Sequence, residues 1–313
     1  MNQSKFSLAD LLTLLAAIAF GFECFLGTNF YTLGNSAQSI ILAVIITVVL
    51  SGTALSAKLL KRTSGNFKTC FVWERILLFL FTGLLLFFAY SPFPHYFVVS
   101  RQKAEIQDKL SLNITQAENM FSNYEHYAET RENLYKSKLR SVVASKNINP
   151  SEYTEYGFAN NGISDDKQID NKIFTVHADL FPTNYSDPNN KNGIKEVAIT
   201  WLSDAKNKIA GWKPIGIVGV VNEVEQNSNE WLNKLVELSA VREKGEQAED
   251  FEYPLSFENV KNYFSTLGRP MPLSIGLAVV AYLLMLLSYL ISKRSTKTIV
   301  GTVKGKGEFD IEY

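Results

Sequence analysis

Four long apolar stretches are the feature that most limits what this 313-residue chain can fold into. They lie at residues 11–30, 39–57, 76–93 and 271–292. A helix needs roughly 20 predominantly apolar residues to cross a hydrocarbon core of about 30 Å. The first stretch is too long for the apolar part of a signal peptide, and no Ala-x-Ala cleavage site follows it. The sequence therefore predicts an α-helical integral membrane protein with four transmembrane helices.

The basic residues in the short connecting segments predict an orientation. None occurs between the first two stretches, whereas five stand between the second and the third: Lys58, Lys61, Arg62, Lys68 and Arg75. Short loops rich in lysine and arginine stay in the cytoplasm. We therefore expect an inner-membrane protein with both termini in the cytoplasm, including a tail at residues 293–313. The intervening domain, residues 94–270, is expected outside, in the periplasm of a Gram-negative cell.

The charge balance argues against nucleic acid as a partner, and the cysteine content leaves the outer domain without disulfides. The chain has 31 basic and 31 acidic residues, so no overall positive field favours nucleic acid. Its two cysteines, Cys24 and Cys70, lie in or beside the apolar stretches. The domain at residues 94–270 is large enough to bury a core without disulfides.

A segment without proline or glycine opens the outer domain, at residues 98–146. Its apolar residues recur every three or four positions, which predicts a long amphipathic helix or a helical hairpin. Either the apolar face packs along the rest of the domain, or it forms a coiled-coil stalk with another copy. As a candidate interaction stripe we single out five residues of this face: Leu110, Ile114, Phe121, Tyr124 and Tyr135.

The remainder of the outer domain is predicted to be mainly helical. Residues 147–193 are rich in Asn, Asp, Gly and Pro and predict loops around one extended segment at residues 173–180. Helical periodicity then returns and is expected to end at Gly211. Two further helices are expected, from Pro214 to about Val224 and from Ser228 onward.

At the end of the chain, Phe309, Ile311 and Tyr313 alternate with acidic residues. Such alternation is typical of a strand, which could dock on the sheet edge of a partner. A disordered tail is the alternative interpretation.

No motif in the sequence indicates a reaction. His95, His126 and His177 are far apart, and neither nucleophile, phosphate-binding nor metal-ligand spacing occurs. We therefore predict no catalytic, metal-binding or cofactor-binding residue, and a protein that is not an enzyme.

One ionisable residue, Glu23, lies within the first apolar stretch. An acid inside a bilayer is costly and is a candidate functional residue, for example in proton binding. The alternative is structural, because near the outer face its carboxylate could reach headgroups or water.

In its layout the chain resembles the polytopic inner-membrane subunits of envelope-spanning machines, such as that of the type VI secretion apparatus of the Bacteroidetes. The resemblance covers the order of the four spans and the outer domain and carries no residue roles. It implies a non-enzymatic docking subunit in contact with the lipid bilayer, other envelope proteins and further copies of itself. A membrane sensor with a ligand- or strain-sensing outer domain is one alternative, and a component of an oligomeric transporter or channel is another.

Overall fold

The computed structural model describes residues 7–63 and 67–294, and within these ranges the chain is all helical, with no strand. The helices are α1 (Leu8–Tyr31), α2 (Ser36–Arg62), α3 (Phe67–Tyr90), α4 (Phe93–Arg101), α5 (Lys103–Ala144), α6 (Pro150–Glu155), α7 (Asp165–Leu180), α8 (Ile194–Ala210), α9 (Ile217–Ala240), α10 (Glu258–Ser265) and α11 (Pro272–Ile291). The predicted tail strand, with Phe309, Ile311 and Tyr313, lies outside the described residues.

Four segments are long and apolar enough to cross a membrane: Leu8–Tyr31, Ser36–Arg62, Lys68–Arg101 and Pro272–Ile291. They coincide with the four predicted spans, so the expectation of four apolar helices is confirmed. Helices α1 and α2 extend beyond their apolar windows at both ends, and polar residues cap their first turns. At the start of α1, for example, Ser7 accepts a hydrogen bond from the backbone of Asp10, and the Asp10 carboxylate accepts one from the backbone of Ser7.

The chain divides into two compact units. Unit 1 consists of residues 1–104, 214–218 and 261–313, and unit 2 consists of residues 105–213 and 219–260. Unit 1 therefore contains all four apolar helices. In sequence, unit 2 lies between the third and the fourth of them.

Unit 1 is a bundle in which α1 packs against α2, α4 and α11, and α2 also packs against α3. Its core includes Phe20, Leu50, Phe81 and Met285, all nearly or fully buried. We name the two ends of the bundle. At the terminal end, α1 and α3 begin and α2 and α11 finish. The opposite end is the far end. Large apolar side chains also cover the outside of the bundle, Phe79 being 84% exposed.

Unit 2 is built around α5, a continuous helix of 42 residues. At about 1.5 Å per residue it is roughly 60 Å long. Its apolar face is buried against α7, α8 and α9 and against the chain after α9, as the burial of Leu110, Leu180, Leu202 and Leu235 indicates. The sequence predicted a helix or helical hairpin over residues 98–146. In the structure this segment is interrupted at Gln102, where α4 ends and before α5 begins.

Two predictions for the outer domain were wrong in detail. Residues 173–180 are not extended but belong to α7, where Ile169, Val176 and Leu180 are buried at helical spacing. The Asn- and Gly-rich surroundings hid this period. The two helices expected on either side of Ser228 are the single helix α9, because Ser228 lies buried in the middle of its apolar face rather than at a cap.

Candidate functional site

An extended segment of unit 2, residues 241–257, runs back along α5 without forming a helix. We call it the strap. The hydroxyl of Tyr135 donates a hydrogen bond to the carbonyl of Lys244 at 2.9 Å, and that of Tyr127 donates to the carbonyl of Glu249 at 2.6 Å. Because two tyrosines about two turns apart on α5 hold two carbonyls five residues apart on the strap, the strap keeps a fixed register along the helix.

A buried ion pair holds the strap at its centre. The Nε atom of Arg131 lies 2.5 Å from Oε1 of Glu246, and its Nη2 atom donates to Oε2 at 2.9 Å. The same guanidinium donates to the carbonyls of Ser239, at 2.7 Å, and Val241. Both charged side chains are almost completely buried. A planar guanidinium suits this role because it can donate in several directions at once.

Between α5 and the strap lies a cleft of about 440 Å³. It is lined by Tyr127, Thr130, Arg131, Leu134, Tyr135, Lys138, Tyr156 and residues 245–249. Gly245 shapes one wall, because its φ of +81° and the ring of Tyr156 leave no room for a side chain. A Cβ atom at this position would lie 2.5 Å from Cε1 of Tyr156. Tyrosine rings and the side chain of Leu134, which is 65% exposed, thus face the same cleft.

Among the charged residues that line the cleft, Arg131 pairs with Glu246 and Lys138 pairs with Glu152, so Glu249 leaves a small acidic excess. Lys138 is neutralised by Glu152, with 2.9 Å between Nζ and Oε1. Within the described part of the chain, the carboxylates of Glu243 and Glu249 form no ion pair with a basic side chain. Burial raises the pKa of Tyr135, and the charges of Glu243 and the buried Glu246 raise it further, so this tyrosine stays neutral and keeps donating its hydrogen bond. A basic partner would complement this rim.

The predicted interaction stripe is corrected by the structure. All five residues are at most 3% exposed: Leu110, Ile114, Phe121, Tyr124 and Tyr135. The apolar face of α5 therefore packs along its own domain, which was one of the two alternatives left open by the sequence. The periodicity identified a buried face, but it could not tell whether the covering surface belongs to the same chain. Of the five, only Tyr135 also lines the cleft.

Glu23 lies on the face of α1 that packs against the chain at the start of α4. One turn before it, Phe20 stacks on Phe93 with 4.5 Å between ring centroids. One turn after it, a Cβ atom on Gly27 would lie 2.1 Å from the carbonyl oxygen of Pro92. Glu23 is half-buried, and its Oε2 atom has no hydrogen-bond partner among the described residues. The structure thus brings this acid to a helix contact in the half of the bundle nearer the far end.

At the terminal end, a buried ion pair joins three apolar helices, and the sequence analysis missed it. Asp10 of α1 contacts the ammonium of Lys58 on α2, and the hydroxyl of Ser288 on α11 donates to the same carboxylate oxygen. The two charged side chains are each 7% exposed. Lys58 had been counted only as a loop charge. The signal was the capping sequence Ser7-x-x-Asp10 directly before an apolar run, which places an acid at the first turn.

A second ion pair lies at the same end. Both carboxylate oxygens of Glu74 on α3 accept hydrogen bonds from Arg294, at 2.7 and 2.6 Å. The hydroxyl of Tyr289 on α11 donates to Glu74 at 2.6 Å, and Lys61 of α2 donates to the carbonyl of Tyr289 at 2.9 Å. The Glu74 side chain is fully buried. The two clusters together connect α1, α2, α3 and α11 at one end of the bundle.

The three histidines occupy separate sites. His95 is buried in unit 1 and its Nε2 donates to the carbonyl of Phe264 at 2.6 Å. His177 lies 2.8 Å from Glu132, and His126 is exposed. Across residues 7–63 and 67–294, no group of three histidine, cysteine or acidic side chains has the geometry of a metal site.

Comparison with known proteins finds no matching family model, no similar curated protein and no similar solved structure. The function therefore has to be inferred from the residues of the chain itself.

Proposed function

We propose that the chain is a non-enzymatic docking subunit of a cell-envelope assembly, such as a secretion system, anchored in the inner membrane by unit 1. The observation that carries this proposal is the tyrosine-lined cleft of unit 2. Tyrosine is enriched where proteins bind one another, because its ring buries apolar area while its hydroxyl keeps a hydrogen bond. Tyr127 is partly exposed and has both properties, and its ring, like that of the buried Tyr135, is held in place by a hydrogen bond to the strap.

The shape and charge of the cleft define its occupant. A volume of about 440 Å³ suits one or two side chains rather than a whole helix. The exposed Leu134 and the rings of Tyr127 and Tyr156 favour an apolar or aromatic side chain. Glu249 favours a lysine or arginine beside it. We therefore propose that unit 2 captures a basic segment of a partner protein through one inserted apolar residue.

The orientation of the anchor supports capture outside the cytoplasm. Lys61, Arg62, Lys68 and Arg75 belong to the terminal end of the bundle, as does the paired Lys58. By the positive-inside rule this end faces the cytoplasm, and unit 2 then faces the periplasm. Reporter fusions at residue 61 and at residue 193 test this orientation. A cytoplasmic signal at residue 193 would refute it.

Site-specific photo-crosslinking in the native cell tests the docking proposal. A photoreactive amino acid replaces Thr130, which lines the cleft, and Thr115 on the same helix serves as the control. The two threonines are matched, because each is exposed and each donates to the carbonyl four residues earlier. We expect a crosslink from position 130 alone, mapping to a basic segment of an envelope protein. Equal crosslinking from both positions contradicts docking in the cleft.

Substitutions then connect the crosslink to binding. Leu134→Asp and Glu249→Lys are expected to abolish capture of that partner, measured with the full chain in detergent after circular dichroism has shown a normal fold. The matched controls are Leu112→Asp, at a leucine of α5 that is 61% exposed, and Glu223→Lys, at an exposed acid of α9. If the cleft variants fold and still capture the partner, the proposal is wrong. A cytoplasmic kinase as the captured protein would favour the sensor instead.

A further inference from the structure

Unit 1 carries an apolar groove between α3 and α11 that the bundle itself leaves unfilled. Its volume is about 570 Å³, and its lining includes Thr82, Ala89 and Tyr90 of α3 together with Pro270, Val279 and Tyr282. The two helices touch at the closed end of the groove, where the ring centroids of Phe81 and Tyr282 are 5.7 Å apart. The hydroxyls of Thr82 and Tyr282 lie 3.4 Å from each other at the same level.

The groove has the length of one leaflet of a bilayer. From Thr82 to Tyr90 the rise along α3 is about 12 Å. Half of a hydrocarbon core is about 15 Å thick. The groove therefore extends from the middle of the bundle to the far end, where the exposed ring of Tyr90 stands at the level that aromatic residues prefer in membranes.

Two arginines stand at the open end of the groove. Arg269 directly precedes the lining residue Pro270, and Nη1 of Arg101 lies 3.7 Å from the sulfur of Met271. Both arginines are exposed, and neither has an ion-pair partner within residues 7–63 and 67–294. A guanidinium binds phosphate oxygens in a bidentate geometry. The far end thus offers positive charge beside the chain that lines the open end of the groove.

We propose that this groove binds one phospholipid, with an acyl chain between α3 and α11 and the headgroup phosphate at Arg101 and Arg269. A transmembrane helix of a second copy is a poorer fit, because its apolar face would leave Arg101 and Arg269 without an anionic partner.

Native mass spectrometry of the full chain in detergent, titrated with phosphatidylglycerol, tests the proposal. We expect one tightly retained lipid on the wild type. Ala89→Phe and Val279→Phe fill the groove and should weaken retention at least tenfold. The control Ile41→Phe adds the same ring on the outer face of α2, where Ile41 is 61% exposed, and should retain the lipid. Val279 is itself 53% exposed, so the second variant tests the groove without disturbing the core if Ala89→Phe misfolds.

The headgroup is tested with diacylglycerol of the same chains, which lacks the phosphate, and with inorganic phosphate alone. Phosphatidylglycerol should bind the wild type at least tenfold more tightly than diacylglycerol, and inorganic phosphate should not compete. Arg101→Gln together with Arg269→Gln should remove this preference, whereas Arg140→Gln on the exposed side of α5 should not. Equal lipid retention by groove and control variants overturns the proposal. A dimer that Ala89→Phe or Val279→Phe dissociates, with lipid retention unchanged, would assign the groove to a second copy instead.

Discussion

Units 1 and 2 use buried charge in different surroundings. In unit 1 large apolar side chains cover the exterior of the bundle as well as its core, and the ion pair of Asp10 with Lys58 lies among apolar helices. In unit 2 the exterior is polar, and the ion pair of Arg131 with Glu246 holds a non-helical strap against a helix. The comparison indicates that the first pair fixes how helices pack, whereas the second fixes where a loop lies. Loss of each pair should therefore have a different consequence.

The largest effect is expected from Lys58→Met in unit 1. The substitution leaves the carboxylate of Asp10 buried without a cation, and breaking such a pair costs about 3–5 kcal/mol. The midpoint of thermal unfolding in detergent should fall strongly. Adding Asp10→Asn should restore most of the loss, and Arg62→Met, at an exposed arginine of the same helix, should have little effect. Equal midpoints for Lys58→Met and Arg62→Met would show that the pair does not hold the bundle together.

A smaller loss is expected from Gly245→Ala in the strap. The residue has a φ of +81°, and a Cβ atom would meet the ring of Tyr156. The left-handed backbone costs about 1–2 kcal/mol for alanine, and the contact adds about 1–2 kcal/mol. Gly162 is a matched control in the same unit, because its φ is +82° and no atom lies within 4 Å of its added Cβ. Denaturant unfolding of the full chain, followed by tryptophan fluorescence, should show a larger loss for Gly245→Ala than for Gly162→Ala. Equal losses of stability in the two variants would show that contact with the Tyr156 ring does not contribute to the destabilisation.

Arg131→Met should release the strap without unfolding unit 2. Once the strap leaves α5, Glu246 can reach water, so the cost should stay near the roughly 1.5–3 kcal/mol of hydrogen bonds to charged groups. Hydrogen exchange should accelerate at residues 241–249 and remain slow in α5. Arg140→Met, at an exposed arginine of α5, is the control. Faster exchange throughout unit 2 would mean that this pair supports the whole domain, as the Asp10 pair is expected to do in unit 1.

The smallest effect concerns a partly exposed pair in unit 2. Hydrogen bonds from Lys146 at 2.5 Å and from the Tyr153 hydroxyl at 2.7 Å lower the pKa of Asp165 below its ordinary value. An acid whose pKa is lowered by folding adds stability above its ordinary pKa, and this contribution is lost as the pH falls through the lowered value. Because both side chains are partly exposed, solvent screens the interaction and we expect only a few tenths of a kcal/mol. Asp165→Asn should flatten the acid limb of a stability profile slightly, and Asp166→Asn should not. Identical profiles would assign no stabilisation to the pair.

The sequence alone determined the four apolar helices and the helical character of the outer domain. Both are local properties, because the length of an apolar window and the period of an apolar face can be counted within a single segment. The buried face of α5 was also visible as a period. Local composition failed where polar residues obscured the period, as in α7 before Leu180, and where a buried serine imitated a cap, as at Ser228 in α9. It also gave no sign of the break at Gln102 between α4 and α5.

Only the tertiary structure decided which side chains meet. Asp10 and Ser288 are 278 residues apart in sequence, and Arg131 and Glu246 are 115 apart. No local pattern encodes such a pairing, because it depends on how the helices pack and on the path of the chain between them. The apolar stripe of α5 became a core for the same reason, since a period specifies a face to be covered and not the surface that covers it. The cleft beside Tyr135 and the groove between α3 and α11 exist only where distant segments leave space between them.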